Sequence, residues 1–304
     1  MKMVKNSKVL SIAFVIVMIA VLSMAIPLST APVSAQDTEV TFPDPSLDTA
    51  IRQAINKSTG PIYASDVEEL INFSTSGSGI ADLTGMEYCV NLEVLDFSEN
   101  NIVNLSPLSG LNKLMHLDLF DNDISDISSL SGMVNLTKLS LGANQIDNVI
   151  PLSELKSLIV LDLSINKLST FSPLTGFPNL EELYLFDNDI SDITTLSTFP
   201  NLTHVWLGSN KIEDISSLQY LSNLTALGLS DNKIEDSDLP VIAGLTNVTQ
   251  LALIANDISD ISLLSNLSNL TSLLLGDNKI TNISPLSGLP LTVLGLSGNE
   301  ISDF

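Results

Sequence analysis

The chain has 304 residues, a formal charge of −23, and 44% hydrophobic but only 5% aromatic residues. That apolar content excludes a disordered chain and requires a mainly aliphatic core, and the single Cys89 excludes an internal disulfide framework. So acidic a surface repels nucleic-acid phosphates and anionic lipid; it attracts basic partners or cations, or simply supplies solubility.

In chain order, residues 1–35 read as a secretory signal. Lys2, Lys5 and Lys8 precede an uncharged apolar run of 18 residues, Val9 to Ile26, and small residues Val33 and Ala35 stand before Gln36. A run that long is also compatible with an uncleaved N-terminal anchor. Cleavage after Ala35 leaves 35 acidic against nine basic residues (12 minus 3), a charge of −26, with Arg52 the sole arginine. Residues 36–69 are predicted to form a helical cap. In it Asp44 is the N-cap, Pro45 the first helical residue and Gly60 the stop, with Leu47, Ile51 and Ile55 along one stripe. Ser65 to Glu68, "SDVE", reads as a capping box for a second short helix.

From residue 70 to 304 one frame recurs, L-x-L-x-x-N-x-I, with its asparagines at Asn100, Asn122, Asn144, Asn166, Asn188, Asn210, Asn232, Asn256, Asn278 and Asn299. The steps are 22 six times, then 24, 22 and 21, and the last unit is incomplete. Near-identical phrases such as "LDLFDNDISDI" and "LYLFDNDISDI" stand 66 residues apart because that is three periods. Each unit is a leucine-rich repeat. Leu183 and Leu185 alternate with Tyr184, so one face of a short strand is buried and the other free. Stacking parallel strands at about 4.8 Å buries a core that no single unit could form. The amide of Asn188 serves the backbone where the chain leaves the sheet, and Ile190, Ile193 and Leu196 return behind it in short 3₁₀ turns. Ser78 in the asparagine place marks a degenerate opening unit, and Cys89 falls at a core leucine position. "DSDLPVIAGL", in the 24-residue step, is expected to form a fuller helical turn. The expected fold is an α/β solenoid: a right-handed curved coil with a parallel β-sheet on its concave face, 3₁₀ or irregular turns on its convex face and a helical N-terminal cap.

The units "NITNISPLSGL" and "GIADLTGMEYCVNLEVLDFSEN", with the helical segment before them, resemble the internalins and related secreted bacterial leucine-rich repeat proteins over Phe42 to Phe304. That resemblance implies a secreted or cell-surface module without enzymatic activity, which holds a protein or glycoprotein partner on the concave face. Internalin-type chains close their array with an immunoglobulin-like domain, whereas this sequence stops at "GNEISDF", so a truncated or self-associating C-terminus is expected.

Core positions follow packing, so function should lie in the outward strand residues. Both histidines, His116 and His204, the only tryptophan, Trp206, and Tyr184 all fall on that face. Glu182, Tyr184, Phe186, His204 and Trp206 are the expected centre of a partner-binding patch, extended by His116, Asp118 and Phe120, since interface hot spots favour Trp and Tyr. Chance scatter over a repeat surface is the competing reading. No cofactor and no metal site is expected. The acids of "DNDISD" lack the glycine and glutamate of a calcium loop, although Asp121, Asp187 and Asp231 could bind calcium loosely along the turns. His116 and His204 stand roughly 19 Å apart at the strand spacing. The Asn-Leu-Thr triplets at Asn135, Asn201, Asn223 and Asn269 match the glycosylation acceptor pattern only because the repeat recurs. Two other functions stay open: an envelope component stacking through its C-terminal end, and repeats that target a catalytic domain lying elsewhere. No partnership with nucleic acid is expected, nor with membrane beyond the signal or anchor.

Overall fold

The structure is a computed structural model that describes residues 37–302. The signal assigned to 1–35, and Phe304, lie outside the described residues. Two short strands, β1 (Glu39–Val40) and β2 (Ile62–Tyr63), pair antiparallel around α1 (Pro45–Ala54), and α2 (Ala64–Val67) follows. The main sheet comprises β3 (Asn72–Ser74), β4 (Val94–Asp96), β5 (His116–Asp118), β6 (Lys138–Ser140), β7 (Val160–Asp162), β8 (Glu182–Tyr184), β9 (His204–Trp206), β10 (Ala226–Gly228), β11 (Gln250–Ala252), β12 (Ser272–Leu274) and β13 (Val293–Gly295). These eleven strands are parallel and lie in chain order, each paired with the next. The chain is therefore a leucine-rich repeat solenoid.

The register explains the period. Leu183 pairs with Leu161 on one side and Val205 on the other, so the middle residue of every strand stacks on its equivalent in the core. Leu185, Ile190, Ile193, Leu196 and Phe199 are fully buried or nearly so, and one continuous apolar cluster runs from Val40 to Leu286. Cys89 is part of it. Behind the sheet lie 3₁₀ turns such as Ser128–Leu130 and Thr194–Thr198. The coil between β7 and β8 has none, and Phe171, Leu174 and Phe177 fill the core from irregular backbone instead. The 24-residue coil carries a 3₁₀ turn, Asp236–Asp238, and then α3 (Leu239–Ala243), which buries Leu239, Ile242 and Ala243.

Two details at the N-terminal end differ from the sequence reading. Asp44 does cap α1, its Oδ1 accepting from the Ser46 and Leu47 N–H groups at 2.9 and 3.1 Å. The helix stops at Asn56, not Gly60: Asn56 takes φ 53° and the Lys57 N–H reaches back to the Arg52 carbonyl at 2.9 Å, a left-handed closure that Asn tolerates. The second helix starts one residue before Ser65. Tyr63 is its N-cap, with the Asp66 carboxylate accepting the Tyr63 N–H at 2.8 Å, while Ser65 Oγ donates to Asp37. Asp44 also ties α1 to the first coil, because its Oδ2 accepts from Ala81 and Asp82 N–H at 2.9 and 3.3 Å. Burial pushes its carboxyl up, but those four backbone donors outweigh it and hold the group below the usual carboxylate range.

Hydrogen-bond ladders join coil to coil. The Asn188 Nδ2 donates to the Leu163, Leu185 and Phe186 carbonyls at 3.0, 3.1 and 3.3 Å, and its Oδ1 accepts the Leu168 N–H at 2.9 Å. Asn100, Asn122, Asn144, Asn166, Asn210, Asn232, Asn256, Asn278 and Asn299 make the corresponding bonds. The residue before each of these asparagines up to Asn278 is left-handed, including Asp121, Asp187 and Asp231 at φ 53–56°. Aspartate adopts that backbone more readily than most side chains and holds four of the nine positions, with Glu99, Ala143, Ile165, Ser209 and Ala255 in the others.

Candidate partner-binding surface

The first and third residues of each strand face away from the core, and the register arranges the third residues in one row: Asp96, Asp118, Ser140, Asp162, Tyr184, Trp206, Gly228. Tyr184 is the direct partner of Trp206, and Glu182 of His204. His116, Asp118 and Phe120 lie three strands away from Glu182 and Tyr184, across β6 and β7. All eight candidate residues are half-buried rather than open to solvent.

Their partial burial has a physical cause. A Cβ added to Gly228 would stand 2.9 Å from Trp206 Cζ3 and 3.2 Å from Cδ2, so the indole occupies the space above that glycine. Likewise a Cβ on Gly142 would meet Phe120 Cδ2 at 3.0 Å and Asp162 Oδ2 at 2.9 Å. Large side chains thus lean onto the small residue of the next strand, and the face is prearranged before any partner arrives. The Tyr184 hydroxyl donates to Glu182 Oε2 at 2.7 Å, so the carboxylate in register with His204 is engaged within its own strand. His204 Nδ1 instead lies 2.9 Å from Thr203 Oγ1. Burial, then the bond and charge of Glu182, then the charge of Asp162, push the Tyr184 phenol well above its usual range. His116 is held below its ordinary value by burial and then by the Lys138 charge.

Two residues absent from the sequence candidates join the two groups. Asp162 is only 6% exposed and Ser164 fully buried, although both occupy outward positions. Asp162 Oδ1 accepts the Ser164 N–H at 2.9 Å. Desolvation pushes its carboxyl up to about 6, against the lowering effect of Ser164 and with a further rise from Asp118. Desolvation also raises Asp118. The signal available in the sequence was the Phe-then-Gly step from Phe120 to Gly142, which lets neighbours close over Asp162.

Among the described residues no group of three or more His, Cys, Asp or Glu is placed to hold a metal ion, and no helix is long and apolar enough to cross a membrane. The triplet asparagines form a second ladder: Asn135 donates to the Asn112 carbonyl at 2.8 Å, Asn201 to Pro178 at 2.6 Å, Asn223 to Pro200 at 3.2 Å and Asn269 to Thr246 at 2.9 Å. Their threonines form a third, for example Thr203 Oγ1 to the Glu181 carbonyl at 3.1 Å. Packing between coils thus accounts for the Asn-Leu-Thr triplets.

Family models for leucine-rich repeats match residues 114–156, 178–220 and 220–243. An internalin, InlF from Listeria monocytogenes, is 34% identical, with a TM-score of 0.82 over 86% of this chain and 78% of that one. The chain belongs to the internalin family. Internalin C2 from the same organism is 29% identical, with a TM-score of 0.52 over 88% of this chain and 100% of that one. The functional domain of InlJ, also from L. monocytogenes, shares the fold at 23% identity and a TM-score of 0.69, over 86% of this chain and 62% of that one. No curated protein matches the chain significantly. As an internalin, the chain is a protein-recognition module of the leucine-rich repeat type, and proteins of this type are typically non-enzymatic.

Proposed function

We propose that this internalin is exported and holds a partner protein on the exposed face of its sheet. Glu182, Tyr184, Phe186, His204 and Trp206 form the centre of contact, with His116, Asp118 and Phe120 extending it. The observation that carries the reading is the seat of Trp206 over Gly228 beside Tyr184, a pair of aromatics held in place on a face whose core gains nothing from them. A rigid scaffold presenting prearranged aromatics loses little conformational entropy on binding. In the same reading residues 36–69 seal the N-terminal end of the coil and residues 1–35 direct export.

The test is capture from extracellular material by the wild type and by Trp206→Ala, followed by titration of the captured protein. Affinity should fall about tenfold or more in the variant, as for a hot-spot truncation. Undiminished affinity in a folded variant would end the proposal. A second reading has one observation behind it: on β13, Val293 and Leu294 are 50% and 44% exposed. Addition of a second copy at that edge would make the mass in sedimentation rise with concentration, and Leu294→Glu would abolish the rise.

A further inference from the structure

We propose that Asp118 and Asp162 seat a lysine- or arginine-bearing segment of the partner protein, between Phe120 and Tyr184. This rests on the reading of the sheet face as the binding surface, and it names the chemistry of the partner. Asp118 on β5 and Asp162 on β7 sit in one row, with Ser140 of the intervening β6 in register between them. Neither takes part in any of the ion pairs formed among the described residues. Lys138, the one cation on these strands, is exposed and sits two positions from Ser140, opposite His116.

An independent observation points the same way. The Ser164 hydroxyl is fully buried next to Asp162, close enough to favour the charge of that carboxylate, yet without a hydrogen-bond partner of ordinary geometry. Its oxygen is an unused acceptor beneath Asp162, so the buried pair is short of donors, which ammonium and guanidinium groups supply. Asp118 is half-buried and offers the reachable oxygen; Asp162, almost wholly buried, adds a negative charge that water screens poorly. Phe120 and Tyr184 flank the pair, positions suited to the apolar stem of a lysine or the plane of an arginine. The chain's −23 charge draws such a segment in, and the aspartate pair fixes where it docks.

The test uses an oligolysine peptide as probe, titrated calorimetrically into the whole protein. Wild type is compared with Asp118→Asn/Asp162→Asn and with a charge-matched control, Glu69→Gln/Glu154→Gln, whose residues are exposed and lie outside the sheet. Melting curves first establish that each variant folds; should Asp162→Asn fail, Asp118→Asn is compared with Glu154→Gln. Affinity should fall about tenfold or more in the aspartate variant and less than about twofold in the control. Equal losses would reduce the effect to overall charge and overturn the proposal, as would no loss in either. The outcome is separate from the Trp206→Ala capture: a partner that depends on Trp206 while oligolysine ignores the aspartates removes the cation seat and leaves the recognition face standing.

Discussion

The indole of Trp206 fills the space that any side chain at Gly228 would need, and the two residues are direct partners on neighbouring strands. The glycine is therefore required by its neighbour's ring, not by its own backbone. Gly228→Val should leave the sheet intact but lift Trp206 from its seat. Because Trp206 is the only tryptophan, its fluorescence should shift to longer wavelength with no change in far-ultraviolet circular dichroism. Partner affinity should fall as in Trp206→Ala. An unmoved emission maximum would contradict the packing described for this face.

Asn144 links two coils through one side chain. Its Nδ2 donates to the Leu119, Leu141 and Gly142 carbonyls at 2.9, 3.1 and 3.1 Å, and its Oδ1 accepts the Ile124 N–H at 2.9 Å. Asn144→Ala leaves the buried Ile124 N–H unpaired and takes one of two donors from each of those carbonyls, and should cost about 1–3 kcal/mol in urea unfolding. Asn299→Ala, half-buried in the last coil, should cost less. Equal costs at the two positions would contradict nearest-neighbour stacking as the source of stability.

The repeat was legible because its causes are local and repeated: Leu183 must point inward, Asn188 must serve the turn, and each recurs one period later. Asp44 at the head of α1 was legible for the same reason. The stop at Asn56 was missed because Asn can take the left-handed turn as Gly60 would, and only the backbone shows which does. Asp162 was missed because periodicity assigns it to the open face. Its burial depends on Phe120 and Tyr184, two strands before it and one after, a relationship no single repeat contains. The Thr203 and Asn201 ladders were equally out of reach, since each bond ends one coil away.

Cys89 lies fully buried in the first coil, where desolvation and then the charge of Glu87 push its thiol up to about 12. The thiolate is the reactive species. Iodoacetamide at pH 8 should label the native chain at least about a hundredfold more slowly than the chain in denaturant, as followed by mass. Comparable rates would show that residues 79–92 do not close over the core as a coil.

Asp162 makes stability depend on pH in an uncommon direction. Burial raises its carboxyl from an ordinary 3.8 to about 6, while Ser164 opposes the shift and Asp118 adds to it. Glu182, Tyr184 and Lys138 are the other titratable groups on the strands alongside. Between about pH 4 and 6 the folded chain therefore holds a proton that the unfolded chain has lost. The contribution of this group is fully favourable below pH 4 and disappears as pH rises through 6. A shift of about two units corresponds to about 3 kcal/mol at most. Asp162→Asn keeps an oxygen for the Ser164 N–H and removes the titration. The variant should thus melt higher than wild type at pH 7.5, and the difference should vanish near pH 4. Carboxyls lowered by their turns, such as Asp192 and Asp214, give both proteins the same opposite slope, so the difference between the two curves isolates Asp162. A difference that is flat from pH 4 to 8 would mean that Asp162 is solvated like any surface acid.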